Sequence, residues 1–151
     1  ITGATGFVGG HIAEACVRKE QTVSAIVRPS SNAGELEKMG VILYRGELSD
    51  PALARQAITD ADVVVHCAAK VGDWGPVEEY RQVNVESLRV LLDACKGQAL
   101  SRFILMSSLG VYPSKHHNGT DETMPLPRKH RDGYSQSKVE AEQLAMHYYH
   151  E

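Results

Sequence analysis

The sequence predicts an α/β fold: a doubly wound parallel sheet with helices on both faces. Short apolar runs alternate along the chain with stretches of helical periodicity, and this alternation favours parallel strands joined by right-handed crossovers. Two runs, residues 62–67 and 102–106, are almost continuously apolar, as is typical of strands covered on both faces. A length of 151 residues favours one domain.

The elements can be predicted in chain order. Ile1 is the expected tail of a first strand, and Pro29 ends the second because proline cannot donate to a ladder. Asp50 and Pro51 have the residue types of an N-cap and a first helical position. The predicted helices cover residues 7–20, 34–39, 51–58, 77–96 and 134–151, and the predicted strands cover 22–27, 41–44, 62–67 and 102–106.

Two predicted helices have an apolar face at helical spacing. On the first helix this face consists of Val8, Ile12, Ala15 and Cys16. On the long fourth helix it consists of Tyr80, Asn84, Leu88, Leu91 and Cys95. Because Asn84 is polar on an otherwise apolar face, it needs hydrogen-bond partners there.

Composition and charge exclude several classes of function. The net charge is −3 with neutral histidines, so neither a nucleic acid nor an acidic membrane is an expected partner. The basic run 128–131 is interpreted as a solvated loop, and no apolar stretch approaches the roughly 20 residues of a membrane span. Cys16, Cys67 and Cys95 are widely spaced, which favours free thiols in the cytoplasm. His116-His117 and the His147/His150 pair lack cysteine or acidic partners at metal-ligand spacing, so no metal site is expected.

A glycine-rich turn follows the first strand and opens the first helix. Gly3, Gly6 and Gly9 recur at every third position. Such glycines allow a tight turn, close approach of the backbone to a pyrophosphate, and close packing of helix against strand. The helix N-terminus adds free N–H groups and a positive dipole end. The turn therefore predicts a dinucleotide site.

A candidate catalytic pair begins the last helix. Tyr134 and Lys138 are spaced i, i+4 and so share one helical face. An ammonium group beside a phenol stabilises the ionised phenol, which allows the tyrosine to act as a general acid or base. Ser107 and Ser108 follow the fifth strand, at the edge of the sheet where functional residues collect.

These motifs resemble the extended branch of the short-chain dehydrogenase/reductase superfamily. The resemblance rests on TGATGFVGG at residues 2–10, on Tyr134–Lys138, and on Ser108 four residues before Tyr112. It implies a Rossmann-like NAD(P)-binding domain over residues 1–151. In that family the tyrosine transfers a proton, the lysine also binds the nicotinamide ribose, the serine donates to the substrate oxygen, and an asparagine matching Asn84 supports the site.

The cofactor is expected to be NADP in preference to NAD. Arg28 occupies the place where an acidic residue would hold the ribose hydroxyl of NAD, and an arginine there accommodates the 2′-phosphate of NADP. Gly46-Glu47-Leu48 and His66-Cys67-Ala68-Ala69 resemble two further cofactor-contacting segments of the family. The predicted cofactor-binding residues are Gly3, Thr5, Gly6, Phe7, Val8, Gly9, Arg28, Glu47, Leu48, His66, Ala68, Ala69, Tyr134 and Lys138.

The subgroup and the reaction follow from a more specific motif. Residues 71–76, VGDWGP, resemble bacterial relatives of 3β-hydroxysteroid and sterol dehydrogenases. The resemblance implies hydride transfer between nicotinamide and a secondary alcohol or ketone, with a small-molecule substrate. The alternatives are a nucleotide-sugar epimerase or dehydratase, which regenerates its cofactor in each cycle, and a non-catalytic dinucleotide-sensing module.

The predicted elements also suggest a fragment. The first strand is nearly absent, the chain ends within its last helix, and a substrate-binding segment is expected to follow. Family members often dimerise through two long helices, which correspond here to residues 77–96 and 134–151.

Overall fold

The computed structural model describes residues 1–72, 74–113, 115–130 and 132–151. They form two compact units, one of residues 1–69 and 87–106 and the other of residues 70–86 and 107–151. Asp73 of the subgroup motif and Arg131 of the basic run lie outside the described residues.

The first unit contains a parallel sheet. Strand β1 (Ser24–Val27) pairs with β2 (Ile42–Arg45), and β3 (Val63–His66) pairs with β4 (Arg102–Leu105), both in parallel. Thr2 connects the two pairs through parallel bridges to Ile26 and His66. The order across the sheet is therefore β2, β1, Thr2, β3, β4, and the predicted parallel sheet is confirmed.

The helices fall close to their predicted positions. Their bounds are α1 (Phe7–Arg18), α2 (Gly34–Lys38), α3 (Pro51–Ile58), α4 (Val77–Arg81), α5 (Ser87–Cys95) and α6 (Gly133–His150). Asp50 caps α3 as predicted, since its carboxylate accepts the backbone N–H groups of Ala52 and Leu53. Helices α1, α2, α3 and α5 belong to the first unit.

Apolar clusters cover both faces of β1. Ala25 and Val27 belong to one cluster, together with residues of α1 and α2 that include Ala13 and Leu36. Ile26 points to the opposite face and packs in a second cluster with Ala54, Ile58, Val64, Leu91 and Ala94. Because successive side chains of a strand alternate between faces, helices cover the sheet on both sides, and the doubly wound arrangement is confirmed.

The buried face of α1 differs from the prediction. Val8 and Ala15 are exposed, whereas Gly9 and Ala13 are buried. A Cβ atom on Gly9 would lie 2.4 Å from the carbonyl oxygen of Gly3. Helix α1 therefore packs through its glycine against the preceding turn, which rotates the larger apolar side chains away from the core.

The two apolar strands are only partly buried, so the prediction of full cover was wrong in part. Val64 and His66 are buried, but Val63 and Ile104 are exposed. Phe103 packs against the cluster on one face of the sheet, so its neighbour Ile104 points to the other face. The cluster of α1 and α2 on that other face includes no residue of β3 or β4.

The second unit consists of helical segments and loops. The helix predicted over 77–96 is interrupted, because a π-helical turn (Gln82–Glu86) separates α4 from α5. A short 3₁₀ turn (Leu109–Val111) follows β4, and Asp132 caps α6 by accepting the N–H of Ser135 at 2.7 Å. Single π turns occur frequently at functional sites.

Three further observations bear on the composition. Cys16, Cys67 and Cys95 are free thiols, as predicted. Burial raises the pKa of the Cys95 thiol to about 11, which keeps this cysteine protonated at neutral pH. In the part of the chain that the structure describes, no helix is both long and apolar enough to cross a membrane.

Replacement of Gly9 by alanine tests the packing of α1. We expect Gly9→Ala to lower the free energy of unfolding by about 1–3 kcal/mol, because the added methyl group must displace the backbone of Gly3. Gly34→Ala is the matched control, since the nearest atom to its Cβ would be 3.5 Å away. Urea denaturation should show that control unchanged or stabilised by about 0.5–1 kcal/mol, and equal effects of the two changes would contradict the packing described.

Candidate functional site

The glycine turn of the first unit presents unsatisfied backbone donors. Gly6 precedes α1 in extended conformation, and no side chain among the described residues caps the helix. The N–H of Gly6 donates to Gly3 at 3.0 Å and that of Gly10 to Gly6 at 2.9 Å, so the turn is tight. The donors at the start of α1, where the predicted contacts Phe7 and Val8 lie, have the direction and the dipole that suit an anion.

The end of β3 lies against this turn. Gly3 has a φ of 71°, and a Cβ atom there would be 2.7 Å from the nitrogen of Ala68. The Thr2 hydroxyl contacts Nδ1 of His66 at 2.7 Å and accepts the N–H of Ala68 at 3.2 Å. Two of the predicted cofactor segments therefore form one backbone-lined cradle, which a side chain at Gly3 would fill. The residues present fit a pyrophosphate.

The remaining predicted cofactor residues of this unit have different surroundings. Arg28 is exposed directly after β1, and its guanidinium has no hydrogen bond or ion pair to any described residue. Glu47 is exposed in the turn after β2, whereas Leu48 packs against the apolar cluster of Ile26. Thr5 and Gly6 are exposed on the turn itself, and Ala69 is partly buried. Arg28 is thus free to meet a ligand.

The predicted catalytic residues fall in the second unit. Tyr134 is partly buried in the first turn of α6, and Lys138, one turn further on, is buried. Tyr134 and Lys138 are therefore the predicted cofactor-binding residues of the second unit. The other predicted cofactor-binding residues belong to the first unit. The burial of Lys138 is notable because lysine is almost never buried unless its ammonium group is paired.

The two candidate serines differ in their partners. Ser108 Oγ accepts the N–H of Gly110 at 3.1 Å and so caps the 3₁₀ turn. Ser107 Oγ is buried and has no hydrogen-bond partner among the described residues. A Cβ atom on Gly110 would lie 2.9 Å from Ser135 Oγ and 3.4 Å from Ser108 Oγ. The loop of Ser108 therefore packs against the start of α6, beside Tyr134.

Asn84 connects three parts of the second unit. Its Oδ1 accepts the N–H of Lys70 at 2.7 Å, and its Nδ2 donates to the carbonyl of Lys70 at 3.0 Å and to Ser137 Oγ at 2.9 Å. Ser137 in turn donates to the carbonyl of Tyr134 at 2.7 Å. The predicted requirement of Asn84 for partners is confirmed, and its amide connects Lys70, after β3, to Ser137 on α6.

Tyr80 is a residue whose part in the site was not apparent from the sequence. Its ring lies edge-on to that of Tyr134, with 6.5 Å between the centroids, and a Cβ atom on Gly133 would be 2.8 Å from the ring. Its hydroxyl lies 3.0 Å from the carbonyl of Gly72 and 2.7 Å from that of Trp74. The helical pattern placed Tyr80 on an apolar face, and it gave no indication that the hydroxyl group would contact these carbonyls.

An ion pair fastens α4 to α6. The Nε and Nη2 groups of Arg81 donate to the two carboxylate oxygens of Glu140 at 2.8 and 2.7 Å. This pairing holds the pKa of Glu140 below its usual range and raises the pKa of Arg81. A bidentate arginine–carboxylate pair adds geometric specificity, and it fixes the face of α6 that includes Gln136, which also donates to Glu140.

The basic run borders a groove in the same unit. Arg128 and Lys129 are exposed, consistent with the predicted solvated loop, and with Val77, Arg81 and Gln136 they border a cavity of about 430 Å³. Among the described residues no group of three histidine, cysteine or acidic side chains is placed to hold a metal ion.

A glycine cradle beside an uncapped helix, in a doubly wound sheet, defines a dinucleotide-binding protein of the Rossmann class. The chain belongs to the NAD dependent epimerase/dehydratase family, whose sequence model matches residues 1–151. This confirms the predicted resemblance to extended short-chain dehydrogenases/reductases.

Similar proteins differ in their named activities. The 2-alkyl-3-oxoalkanoate reductase of Stenotrophomonas maltophilia is 33% identical over 150 residues, with 97% of this chain and 44% of that protein covered. The sterol-4-alpha-carboxylate 3-dehydrogenase, decarboxylating, of Dictyostelium discoideum is 29% identical over 152 residues, with 97% and 46% covered. The chain thus spans less than half the length of these curated relatives.

A solved structure is also similar. The UDP-glucuronic acid 4-epimerase of Bacillus cereus, in complex with UDP-glucuronic acid and NAD, superposes with a TM-score of 0.83 at 27% identity. The similarity covers 99% of this chain and 51% of the epimerase.

Replacement of Asn84 by aspartate tests the connection to Lys70 and Ser137. We expect Asn84→Asp to lower the free energy of unfolding by about 1–3 kcal/mol, since a carboxylate cannot donate to either acceptor and leaves both groups unsatisfied. The matched control is Asn118→Asp, on an exposed loop residue, which should change stability by less than about 0.5 kcal/mol. A tolerated Asn84→Asp in thermal or urea denaturation would contradict the hydrogen bonds described.

The two serines should respond differently to alanine. Ser107→Ala is expected to leave the free energy of unfolding unchanged or slightly raised, because its buried hydroxyl has no partner to lose. Ser108→Ala removes the cap of the 3₁₀ turn and should lower stability by about 0.5–1 kcal/mol. The same denaturation assay measures both, and the reverse order of stabilities would show that Ser107 is the bonded residue.

Proposed function

We propose that the protein is an NAD(P)-dependent oxidoreductase that transfers a hydride between nicotinamide and a secondary alcohol or ketone. The observation that carries the proposal is the grouping of all four predicted catalytic residues in the second unit, where Asn84 and the loop of Ser108 both contact the helix that carries Tyr134. A non-catalytic sensing module would need a dinucleotide cradle but not this grouping.

The residues have separable roles in the proposed reaction. The backbone of the Gly3–Gly9 turn and the N-terminus of α1 bind the pyrophosphate, and Lys138 binds the nicotinamide ribose. Nicotinamide, when bound, supplies or accepts the hydride. Ser108 donates a hydrogen bond to the substrate oxygen, where charge develops during the transfer. Tyr134 holds the proton that this oxygen gains or loses.

The substrate class is proposed from the relatives. The names 2-alkyl-3-oxoalkanoate and sterol-4-alpha-carboxylate both describe a carboxylate that has an apolar body and reacts at an oxygen on carbon 3. We therefore propose a 3-oxo or 3-hydroxy compound with an apolar body, among which 3β-hydroxysteroids and sterols are included.

A nucleotide-sugar epimerase is the second candidate. It is favoured by the similarity to the UDP-glucuronic acid 4-epimerase. An epimerase regenerates its cofactor, so stoichiometric consumption of reduced cofactor with an added ketone supports the oxidoreductase, whereas interconversion of sugar nucleotides without net consumption supports the epimerase.

Replacement of Tyr134 tests the chemical step. We expect Tyr134→Phe to lower kcat by about 10²–10⁴-fold, because the ring remains but the transferable proton is lost. Cofactor binding, followed by the fluorescence of the reduced nicotinamide, should weaken far less than kcat falls, because the other predicted cofactor-binding residues remain. Tyr149→Phe, on an exposed tyrosine of the same helix, is the control and should retain full activity. Full turnover by Tyr134→Phe would exclude this tyrosine as the proton donor.

The choice of cofactor is tested at Arg28. An exposed guanidinium without a partner in the described chain is suited to a 2′-phosphate, and we propose that NADP is preferred over NAD. Arg28→Ala should weaken NADPH binding by about tenfold or more, as expected for the loss of a charge-assisted hydrogen bond, and leave NADH binding nearly unchanged. An unaltered protein that prefers NADH, with Arg28→Ala preserving that preference, would contradict the proposal.

A further inference from the structure

Apolar side chains are exposed on the segment between β3 and α4. Trp74 is 92% exposed and Val71 is 69% exposed. Leu109, the residue directly after the candidate catalytic Ser108, is 86% exposed and belongs to the same unit. Large apolar side chains that are exposed within one short segment, as Val71 and Trp74 are, mark a binding surface more often than scattered ones do.

The segment that carries Trp74 is held in place by specific contacts. The buried hydroxyl of Tyr80 contacts the carbonyls of Gly72 and Trp74, and Asn84 binds both backbone groups of Lys70. The side chain of Lys70 is ion-paired with Glu79. These contacts fix the backbone on both sides of Val71, so the exposed Trp74 is presented by an ordered support.

The backbone of the segment also requires glycine. Gly72 has a φ of 153° and Gly75 a φ of 135°, which side-chain-bearing residues rarely adopt. A Cβ atom on Gly72 would lie 3.1 Å from the Tyr80 hydroxyl. The conformations of Gly72 and Gly75 therefore depend on glycine, and Gly72 also packs against Tyr80.

The same support reaches the catalytic tyrosine. Tyr80 contacts the backbone of Trp74 through its hydroxyl and the ring of Tyr134 through its own ring. One buried side chain therefore separates the Trp74 backbone from the residue that would hold the proton. Leu109 is joined just as directly to Ser108 by the chain itself.

We propose that Trp74, with Val71 and Leu109, contacts the apolar body of the substrate and that Trp74 determines specificity for it. The inference rests on the proposed function. Its occupant is the substrate and not a partner protein, because Tyr80, which binds the backbone of Trp74, also contacts the ring of Tyr134. A tryptophan ring offers a large flat apolar surface that suits an alkyl chain or a fused ring system.

The kinetic test compares ketones of short and long alkyl chain. With the intact protein and saturating reduced cofactor, Trp74→Ala should raise KM for the long-chain ketone by about tenfold or more, the effect of lost apolar contact in a pocket. KM for the short-chain ketone and kcat for both ketones should stay within about twofold of the unaltered protein. The lost contact would bind the ground state and the transition state equally, so its removal changes KM and not kcat. Trp74→Phe should restore most of the affinity for the long chain.

A matched control removes another exposed aromatic side chain. Tyr149 is 79% exposed near the end of α6, and Tyr149→Ala should leave KM for both ketones unchanged. An equal loss for short and long chains in Trp74→Ala, or no loss for the long chain, would overturn the assignment of Trp74. Absence of turnover with either ketone in the unaltered protein would instead contradict the proposed function.

Binding can be followed without turnover. Trp74 is the only tryptophan among the 151 residues, so the difference in emission between the unaltered protein and Trp74→Phe isolates its signal. Addition of a long-chain secondary alcohol to the complex with reduced cofactor should shift this emission to shorter wavelength, and a short-chain alcohol should not. No shift with the long-chain alcohol, when that alcohol competitively inhibits the enzyme, would overturn the proposal.

Discussion

Thr2 joins the two halves of the sheet in the first unit through its backbone and its side chain. Its N–H donates to Val65 at 3.0 Å, its carbonyl accepts from Cys67 at 3.2 Å, and its hydroxyl contacts Nδ1 of His66. The next residue, Gly3, turns directly above Ala68. The position of the glycine turn is therefore fixed by the same residue that aligns the central strands, and a displacement of one requires a displacement of the other.

The second unit depends in a comparable way on amide and hydroxyl groups that contact backbone. Asn84 lies in the π-helical turn, and its amide satisfies Lys70 and Ser137 at once. Tyr80, one turn earlier, meets the carbonyl groups of Gly72 and Trp74. Buried polar groups of this kind specify one arrangement, because any alternative leaves them without partners. The helix that carries Tyr134 and Lys138 is positioned by these contacts.

The sequence predicts structural features that depend on residues close together in the chain. Prediction fails where contacts between residues distant in the chain determine the structure. The strands, the Asp50 cap and the glycine turn were predictable because each has a local signature. The buried face of α1 was predicted wrongly, since the contact of Gly9 with Gly3 outweighs the burial of Val8. The π turn around Asn84 had no signature in the local sequence, because Asn84 forms its hydrogen bonds with Lys70 and Ser137, which are remote in sequence. For the same reason, periodicity predicted that Tyr80 would be buried but gave no sign of its hydroxyl contacts.

The uncapped start of α1 has a thermodynamic consequence. The first N–H groups of a helix lack partners within the helix, and here no described side chain replaces them. An anion that binds these donors only in the folded state shifts the folding equilibrium in proportion to the logarithm of its concentration. Binding of such an anion and folding of the chain are then coupled. With the proposed dinucleotide as the anion, the amount of folded protein in a cell would depend on the dinucleotide concentration as well as on the intrinsic stability of the chain.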